Sequence, residues 1–253
     1  MLVRRELFGH SVVLDVGRAN PQKFLWLQGE RFIRERTLLS RVVRHGMTVI
    51  DVGANIGYYA LMFRSFVGES GQVICLEPDP TNLHELLTNV SENALEGNIT
   101  VMPVAAGDQD GVASFQPGLN SHVTPDGTSH VSVTKIDSLT MSKVDFIKID
   151  VEGYEGAVLD GAKKTIEQFR PALFLELHPN LLTRHTHRGI VQYLQRYYSR
   201  VSGYQIEPGN LWTRFLQAYG LTDQFTEAGD LDQLVNAYEN QRMLLPCWIL
   251  TEP

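Results

Sequence analysis

The sequence predicts an α/β fold in which a doubly wound, mostly parallel sheet carries helices on both faces. Short apolar segments rich in β-branched residues recur along the chain, and several are followed by apolar residues at helical spacing. This alternation is typical of parallel strands joined by crossover helices. The segment Thr48–Tyr59 is the clearest unit, because it predicts a buried strand, a glycine-containing loop and the start of a helix.

Length and charge restrict the classes of function. The chain has 253 residues, enough for one large domain, and its net charge of −7 argues against nucleic-acid binding by bulk electrostatics. Neither a signal peptide nor a membrane span is expected. Cys75 and Cys247 have neither disulfide-framework nor zinc-site spacing, so we expect buried reduced thiols in a cytoplasmic protein. No feature of the sequence sets the oligomeric state.

The chain divides into two regions. Residues 1–45 predict a strand or hairpin outside the main sheet, followed by a helical lead-in beside the cleft. Residues 46–253 form the main domain, with a variable loop at 109–134 and a less recognisable C-terminal part at 180–253. Within that last part we expect a helix from Leu231 to Tyr238 and a closing strand from Met243 to Leu250.

The loop after the first strand carries an acid and two glycines. Asp51, Gly53, Asn55 and Gly57 match neither the dinucleotide-binding pattern nor the phosphate loop. They resemble the first motif of class I methyltransferases that use S-adenosylmethionine; a purely structural turn is the alternative. We expect a side chain at Gly53 to block the ligand's approach and leave the protein folded.

A second strand ends in Glu77, roughly twenty residues after the last glycine of the loop. A carboxylate at this position suits the two hydroxyls of a ribose, although a lone acid closing a strand is commonly just exposed. A third strand, Ile99–Met102, leads to Asp108, which is either an acceptor for an adenine amino group or a turn residue.

Residues 109–134 are rich in turn formers and predict a hairpin and a mobile loop over the cleft. Ser121, His122, Ser129 and His130 are candidates for contact with a second substrate, although polar loop residues usually face water.

A fourth and a fifth strand bring further polar residues to the same edge. Val144–Asp150 ends in Asp150, and the next strand delivers Glu176 and His178. Three strands that converge on one rim indicate a functional site. Glu152 and Glu155 are expected only to suit the start of the following helix, and His185 and His187 an exposed helix start.

Taken together, the ordered motifs resemble the FkbM-type methyltransferase family. They are DVGANIGYY, LEP, AAGD, TKIDSL, DFIKIDVEGYE with a following DGA, and RPALFLELHP, and they span about residues 47–179. The resemblance implies a seven-stranded class I fold and methyl transfer from S-adenosylmethionine, usually to a hydroxyl of a sugar, polyketide or other natural product. The predicted cofactor-binding residues are Asp51, Gly53, Ala54, Asn55, Gly57, Tyr59, Glu77, Pro78, Asp108 and Asp150.

The acceptor's proton has to be removed, and we expect His178 to act as the base with Asp150 and Glu176 beside it and no metal. Much of an imidazole with a pKa near roughly 6.5 is already a free base at neutral pH. The alternative is a magnesium ion held by the same three residues. Two other functions stay open: methylation of a carboxylate, amine or peptide, and a non-catalytic module that binds the cofactor and a partner.

Overall fold

The computed structural model describes residues 1–18, 20–30, 33–118, 121–178, 185–206, 225–240 and 247–253. The strands in these residues are β1 (Leu2–Leu7), β2 (His10–Asp15), β3 (Thr48–Val52), β4 (Gln72–Leu76), β5 (Ile99–Met102), β6 (Ala105–Ala106), β7 (Gly111–Gln116), β8 (His122–Val123), β9 (Ser129–Thr134), β10 (Phe146–Ile149), β11 (Ala172–Leu177), β12 (Arg200–Ile206), β13 (Phe225–Glu227) and β14 (Cys247–Glu252). The helices are α1 (Asn20–Gln28), α2 (Ile33–Val42), α3 (Tyr58–Val67), α4 (Pro80–Glu92), α5 (Glu155–Gly161), α6 (Lys163–Phe169), α7 (His187–Gln195) and α8 (Leu231–Glu239).

The main sheet has the order β13-β12-β14-β11-β10-β3-β4-β5. The five strands from β11 to β5 are parallel, and β14, β12 and β13 are antiparallel to their neighbours. The predicted doubly wound α/β fold is therefore confirmed, with the short strand β13 as one more than the seven expected. The chain order reverses between β3 and β10, so the crevice beyond these two strands is the switch point where such folds bind ligands.

Consecutive residues of each strand point to opposite faces of the sheet, and both faces are buried. Val49 and Phe146 pack with Phe63 of α3 in one hydrophobic cluster. Ile50 and Ile147, their neighbours in sequence, belong to a second cluster on the other face. The apolar runs of the central strands follow directly from this two-sided burial.

The N-terminal strands β1 and β2 form a separate antiparallel hairpin, as expected. Asn89 of α4 fixes this hairpin: its Oδ1 accepts a hydrogen bond from the Val13 amide at 2.7 Å, and its Nδ2 donates to the Ile56 carbonyl at 2.8 Å. Where the sequence indicates a turn at Asn20 and Pro21, the structure has the first residues of α1. Proline is accepted there because the first turn of a helix leaves its amides unpaired anyway.

The region 109–134 is folded around a second sheet with the order β6-β9-β7-β8. The predicted hairpin is the antiparallel pair β7 and β9, and Phe115 of β7 is buried. This small sheet lies along one side of the crevice and contributes residues to it.

The C-terminal region supplies three strands of the main sheet, β12, β13 and β14, and α8 confirms the predicted helix. Of the expected closing strand, residues 243–246 lie outside the described residues, and β14 begins at Cys247. Both cysteines are buried, and none of the helices in the described ranges has the length and apolar character needed to cross a bilayer.

Gly53 lies where the loop after β3 closely approaches the end of β10. Its φ is +74°, and a Cβ added there would lie 1.9 Å from the backbone oxygen of Asp150. A side chain at Gly53 would therefore strain the fold itself, in addition to the expected block to the ligand. The loop needs glycine for the contact between its own backbone and the end of β10, before any ligand is considered.

We predict that Gly53→Ala lowers the free energy of unfolding by about 1 to 3 kcal/mol, the usual cost of a strained backbone site. Gly97→Ala is the matched control, because a Cβ at Gly97 would meet nothing within 4 Å. Denaturant unfolding of both variants measures the difference. Equal stability of the two variants would contradict the packing argument.

Candidate active site

A cleft opens beyond the carboxyl ends of β3, β4 and β10 and encloses about 590 Å³, part of which is open to solvent. Its lining consists of Val52, Gly53, Asn55, Leu76, Glu77, Pro78, Ala105, Ala106, Phe115, Ser121, His122, Val123, Asp150, Val151, Glu152 and Tyr154. The cleft therefore combines the glycine loop, the ends of two neighbouring strands and the small second sheet.

Glu77 ties the end of β4 to the glycine loop. Its Oε2 accepts a hydrogen bond from the Asn55 amide at 2.7 Å, and its Oε1 accepts from the Asp79 amide at 2.9 Å. Asn55 itself has a φ of +51°, a left-handed conformation that asparagine tolerates better than most residues. The carboxylate thus stands at the cleft wall in a fixed orientation, as the sequence predicts for a ribose acceptor.

Burial of Glu77 raises the pKa of its carboxyl to about 7, although the amides of Asp79 and Asn55 oppose this shift. Only 3% of the residue is exposed, which explains why desolvation outweighs the hydrogen bonds. This group therefore titrates close to neutral pH.

Asp51 does not reach the cleft. It is 0% exposed and lies opposite Lys148 in the register of β3 and β10. The Nζ of Lys148 lies 3.2 Å from Oδ1 of Asp51 and 3.5 Å from Oδ2 of Asp150, and it donates a hydrogen bond to the Gly53 carbonyl at 3.0 Å. Burial lowers the pKa of Lys148, but the charges of Asp51 and Asp150 outweigh burial and raise it.

Sequence reasoning did not single out Lys148. The available signal was one cation inside the apolar strand Phe146–Ile149, since a lysine in the middle of a buried strand requires a buried acid nearby. The partner, Asp51, could be identified only once the register between the two strands was known.

Half of the predicted cofactor residues line the cleft: Gly53, Asn55, Glu77, Pro78 and Asp150. The others lie outside the lining, and these are Asp51, Ala54, Gly57, Tyr59 and Asp108.

Two of these residues are held by neighbouring helices. The Tyr59 hydroxyl donates to Glu35 at 2.5 Å, and its ring lies 4.7 Å from Nζ of Lys148. A Cβ at Gly57 would lie 2.8 Å from Leu86 of α4, so this glycine permits helix packing.

His178 lies among four carboxylates at the far end of the site. Its Nε2 is 3.3 Å from Glu152 and 3.6 Å from Glu176, and its Nδ1 is 3.7 Å from Glu155. One ligand atom each from Asp150, Glu176 and His178 lies within 4.8 Å of the others. The predicted convergence of three residues from two strands is thus what the structure has.

Burial lowers the pKa of His178, but its contact with Glu155 and the charges of Asp150, Glu152 and Glu176 raise it to about 9. The imidazole is therefore mainly protonated at neutral pH. The expectation that much of it is a free base under these conditions is wrong, because it used the pKa of an isolated imidazole.

Glu152 and Glu155 do more than suit the start of α5. Glu152 has a φ of +54°, and a non-glycine residue in this conformation carries strain. The turn brings its carboxylate to His178 and into the cleft lining. Glu155 is fully buried, and its Oε1 accepts from the Gly153 amide at 3.0 Å. Their distance from His178 depends on this turn, which no periodicity encodes.

His187 also differs from the expectation of an exposed helix start. It is the first residue of α7, but it is buried and its Nε2 lies 3.2 Å from the His178 carbonyl. In the second sheet, Ser121 and His122 line the cleft. Ser129 instead donates to the Phe115 carbonyl, and His130 is exposed.

Comparison with known proteins identifies the family. The model of the methyltransferase FkbM domain matches residues 51–205. The chain belongs to the FkbM methyltransferase family. It is 28% identical over 142 residues to the hexuronic acid methyltransferase AglP of Haloferax volcanii, a match that covers 51% of this chain and 54% of the relative. The chain thus spans about half the length of this curated relative.

Two solved structures are among those to which the chain is similar. A putative rRNA methylase from Clostridium thermocellum has a TM-score of 0.50 at 12% identity, covering 87% of this chain and 93% of its own. The methyltransferase FkbM from Methylobacillus flagellatus KT has a TM-score of 0.48 at 24% identity, covering 63% of this chain and 38% of its own.

Membership of the FkbM methyltransferase family implies S-adenosylmethionine as the cofactor, as the motifs indicate. The residues of the cleft fit it. Glu77 offers a buried carboxylate suited to two ribose hydroxyls, and Asp150 adds negative charge that suits a cationic ligand.

We predict that Glu77→Ala weakens binding of S-adenosylmethionine by about 1.5 to 3 kcal/mol, the scale of hydrogen bonds to a charged group. Titration calorimetry measures the loss. Unchanged affinity would remove Glu77 from the ribose site.

The pH dependence of binding gives an independent test. The ionised carboxylate is the better acceptor, and the pKa of about 7 means that it forms as the pH rises through neutrality. Affinity should therefore increase from about pH 6 to about pH 8, by up to roughly tenfold. Glu77→Gln should lack this increase over the same range. An identical pH profile in that variant would assign the titration to another group.

Proposed function

We propose that this FkbM-family chain transfers a methyl group from S-adenosylmethionine to a hydroxyl of a sugar or other small molecule, as a cytoplasmic O-methyltransferase of natural-product biosynthesis. The observation that carries the proposal is the position of Asp150, which lines the cofactor cleft and also belongs to the cluster around His178. The relative AglP, named as a hexuronic acid methyltransferase, supports a sugar acceptor.

In methyl transfer the protein mainly has to align the acceptor hydroxyl with the methyl group and exclude water, because the cofactor supplies that methyl group on a positively charged sulfur. Holding two reactants in line can contribute about 7 to 11 kcal/mol at best. The glycine loop and Glu77 would orient one reactant. Ser121, His122 and Phe115 of the second sheet line the same cleft, and we assign the acceptor to the space between them and Asp150.

The acceptor hydroxyl must lose a proton, and His178 is the proposed base. The neighbouring carboxylates of His178 favour the imidazolium. A positive charge bound in the cleft lowers the pKa of a nearby imidazole. His178 would then lose its proton to solvent and be free to accept the proton of the acceptor hydroxyl. In this arrangement Asp150 orients the acceptor, and Glu176, held by the Trp248 indole N–H at 3.1 Å, stabilises the imidazolium that forms.

A divalent cation is the alternative that the same geometry permits. Asp150, Glu176 and His178 offer ligand atoms of the types that magnesium and similar ions accept, within 4.8 Å of one another. An ion held there would acidify a hydroxyl bound next to it. The crowding of carboxylates around His178 supports this alternative, because a cation would relieve their mutual repulsion.

Identifying an acceptor comes first. Purified protein with labelled S-adenosylmethionine should methylate at least one member of a panel that includes hexoses, hexuronic acids, amines, carboxylic acids and peptides. Product mass and the site of methylation define the acceptor class. Cofactor binding without turnover of any member would contradict the proposed activity and favour a cofactor-binding module.

With an acceptor in hand, we predict that activity survives EDTA and falls by about 10²-fold or more in His178→Ala. His84→Ala on the exposed surface of α4 is the matched control. Loss of activity with EDTA, restored by added magnesium, would replace the base with the metal.

A further inference from the structure

Lys148 is a buried cation surrounded by oxygen atoms. Only 2% of it is exposed; its Nζ donates a hydrogen bond to the Gly53 carbonyl at 3.0 Å and forms ion pairs with the carboxylates of Asp51 at 3.2 Å and Asp150 at 3.5 Å. The Tyr59 ring lies against the ammonium at 4.7 Å. These partners come from β3, from the loop after it and from the end of β10, which are the elements on the two sides of the switch point.

Stability alone does not account for this arrangement. Removing an ion pair from water costs so much that replacing both members with apolar residues is often neutral or even stabilising. Phe146, two residues before Lys148 and on the same face of β10, is fully buried and apolar, so an apolar residue is compatible with this face of the strand.

Two of the residues that Lys148 contacts belong to the cleft. Gly53 and Asp150 both line the cleft, whereas Lys148 and Asp51 do not. One ammonium group beneath the cleft thus fixes the glycine-loop peptide from one strand and a carboxylate from the next. The Gly53 carbonyl and the Asp150 carboxylate cannot hydrogen-bond to each other, because both groups are acceptors.

We propose that Lys148 is a positioning residue for cofactor binding, which sets the Gly53 peptide and the Asp150 side chain at a fixed separation, and that Asp51 serves to hold Lys148 in place. This inference rests on the proposed function, since it takes S-adenosylmethionine as the ligand of the cleft. It gives the acid of the first motif a role beneath the cleft instead of a contact with the cofactor.

The test compares Asp51→Asn with the double variant Asp51→Asn/Lys148→Met. Lys148→Met alone should lower the melting temperature, because Asp51 would remain as an unpaired buried charge. The double variant removes both charges and should recover the stability of Asp51→Asn. We nevertheless expect it to bind S-adenosylmethionine about tenfold or more weakly than Asp51→Asn, because Gly53 and Asp150 are no longer held together. Calorimetry supplies the affinities.

Equal affinities in these two variants, at equal stability, would overturn the proposal and leave Lys148 as a counter-ion of Asp51 only. If the double variant does not fold, Asp51→Leu with and without Lys148→Met gives the same comparison with an apolar neighbour. Failure of the wild-type protein to bind the cofactor would instead defeat the proposed function, so the two failures are distinguishable.

Discussion

The close approach of the Gly53 loop to the end of β10 is the constraint on which the site depends. β3 and β10 are neighbouring parallel strands, and the chain after each leads to a helix on a different face of the sheet. The two connecting segments must therefore turn within a few ångströms of each other, and a Cβ at Gly53 would overlap the Asp150 carbonyl. The same approach brings Asp150 to the side of the cleft that faces the glycine loop. Fold and site therefore share one geometrical requirement, and neither can be altered there independently.

Charge is distributed unevenly about this point. Glu77, Asp150 and Glu152 line the cleft, and Glu155 and Glu176 lie behind it beside His178. Lys148 lies beneath this surface, and its positive charge is paired with Asp51 and Asp150. A negative cleft of this kind is suited to a ligand that brings its own positive charge, as a sulfonium does.

The sequence predicted what depends on local pattern. The parallel strands β3, β4, β5, β10 and β11, the glycine loop, the acid at the end of β4 and the convergence of Asp150, Glu176 and His178 follow from periodicity and from the rule that parallel strands end at one edge. It could not predict what depends on register or on a single unusual φ. Lys148 faces Asp51 only through the alignment of two strands, and Glu152 reaches His178 only through a left-handed residue. The protonation of His178 was missed for the same reason, because it is set by neighbours that the turn brings in.

The side-chain amide of Asn89 connects the hairpin at the N-terminus to the cofactor loop. Asn89 is fully buried and holds the backbone of β2 with one atom and the carbonyl of Ile56, inside the glycine loop, with another. An element that contributes no residue to the cleft lining therefore helps to order the loop that does. A substitution that shifts the hairpin therefore acts on the backbone of the glycine loop through Asn89, without any change in the residues that line the cleft.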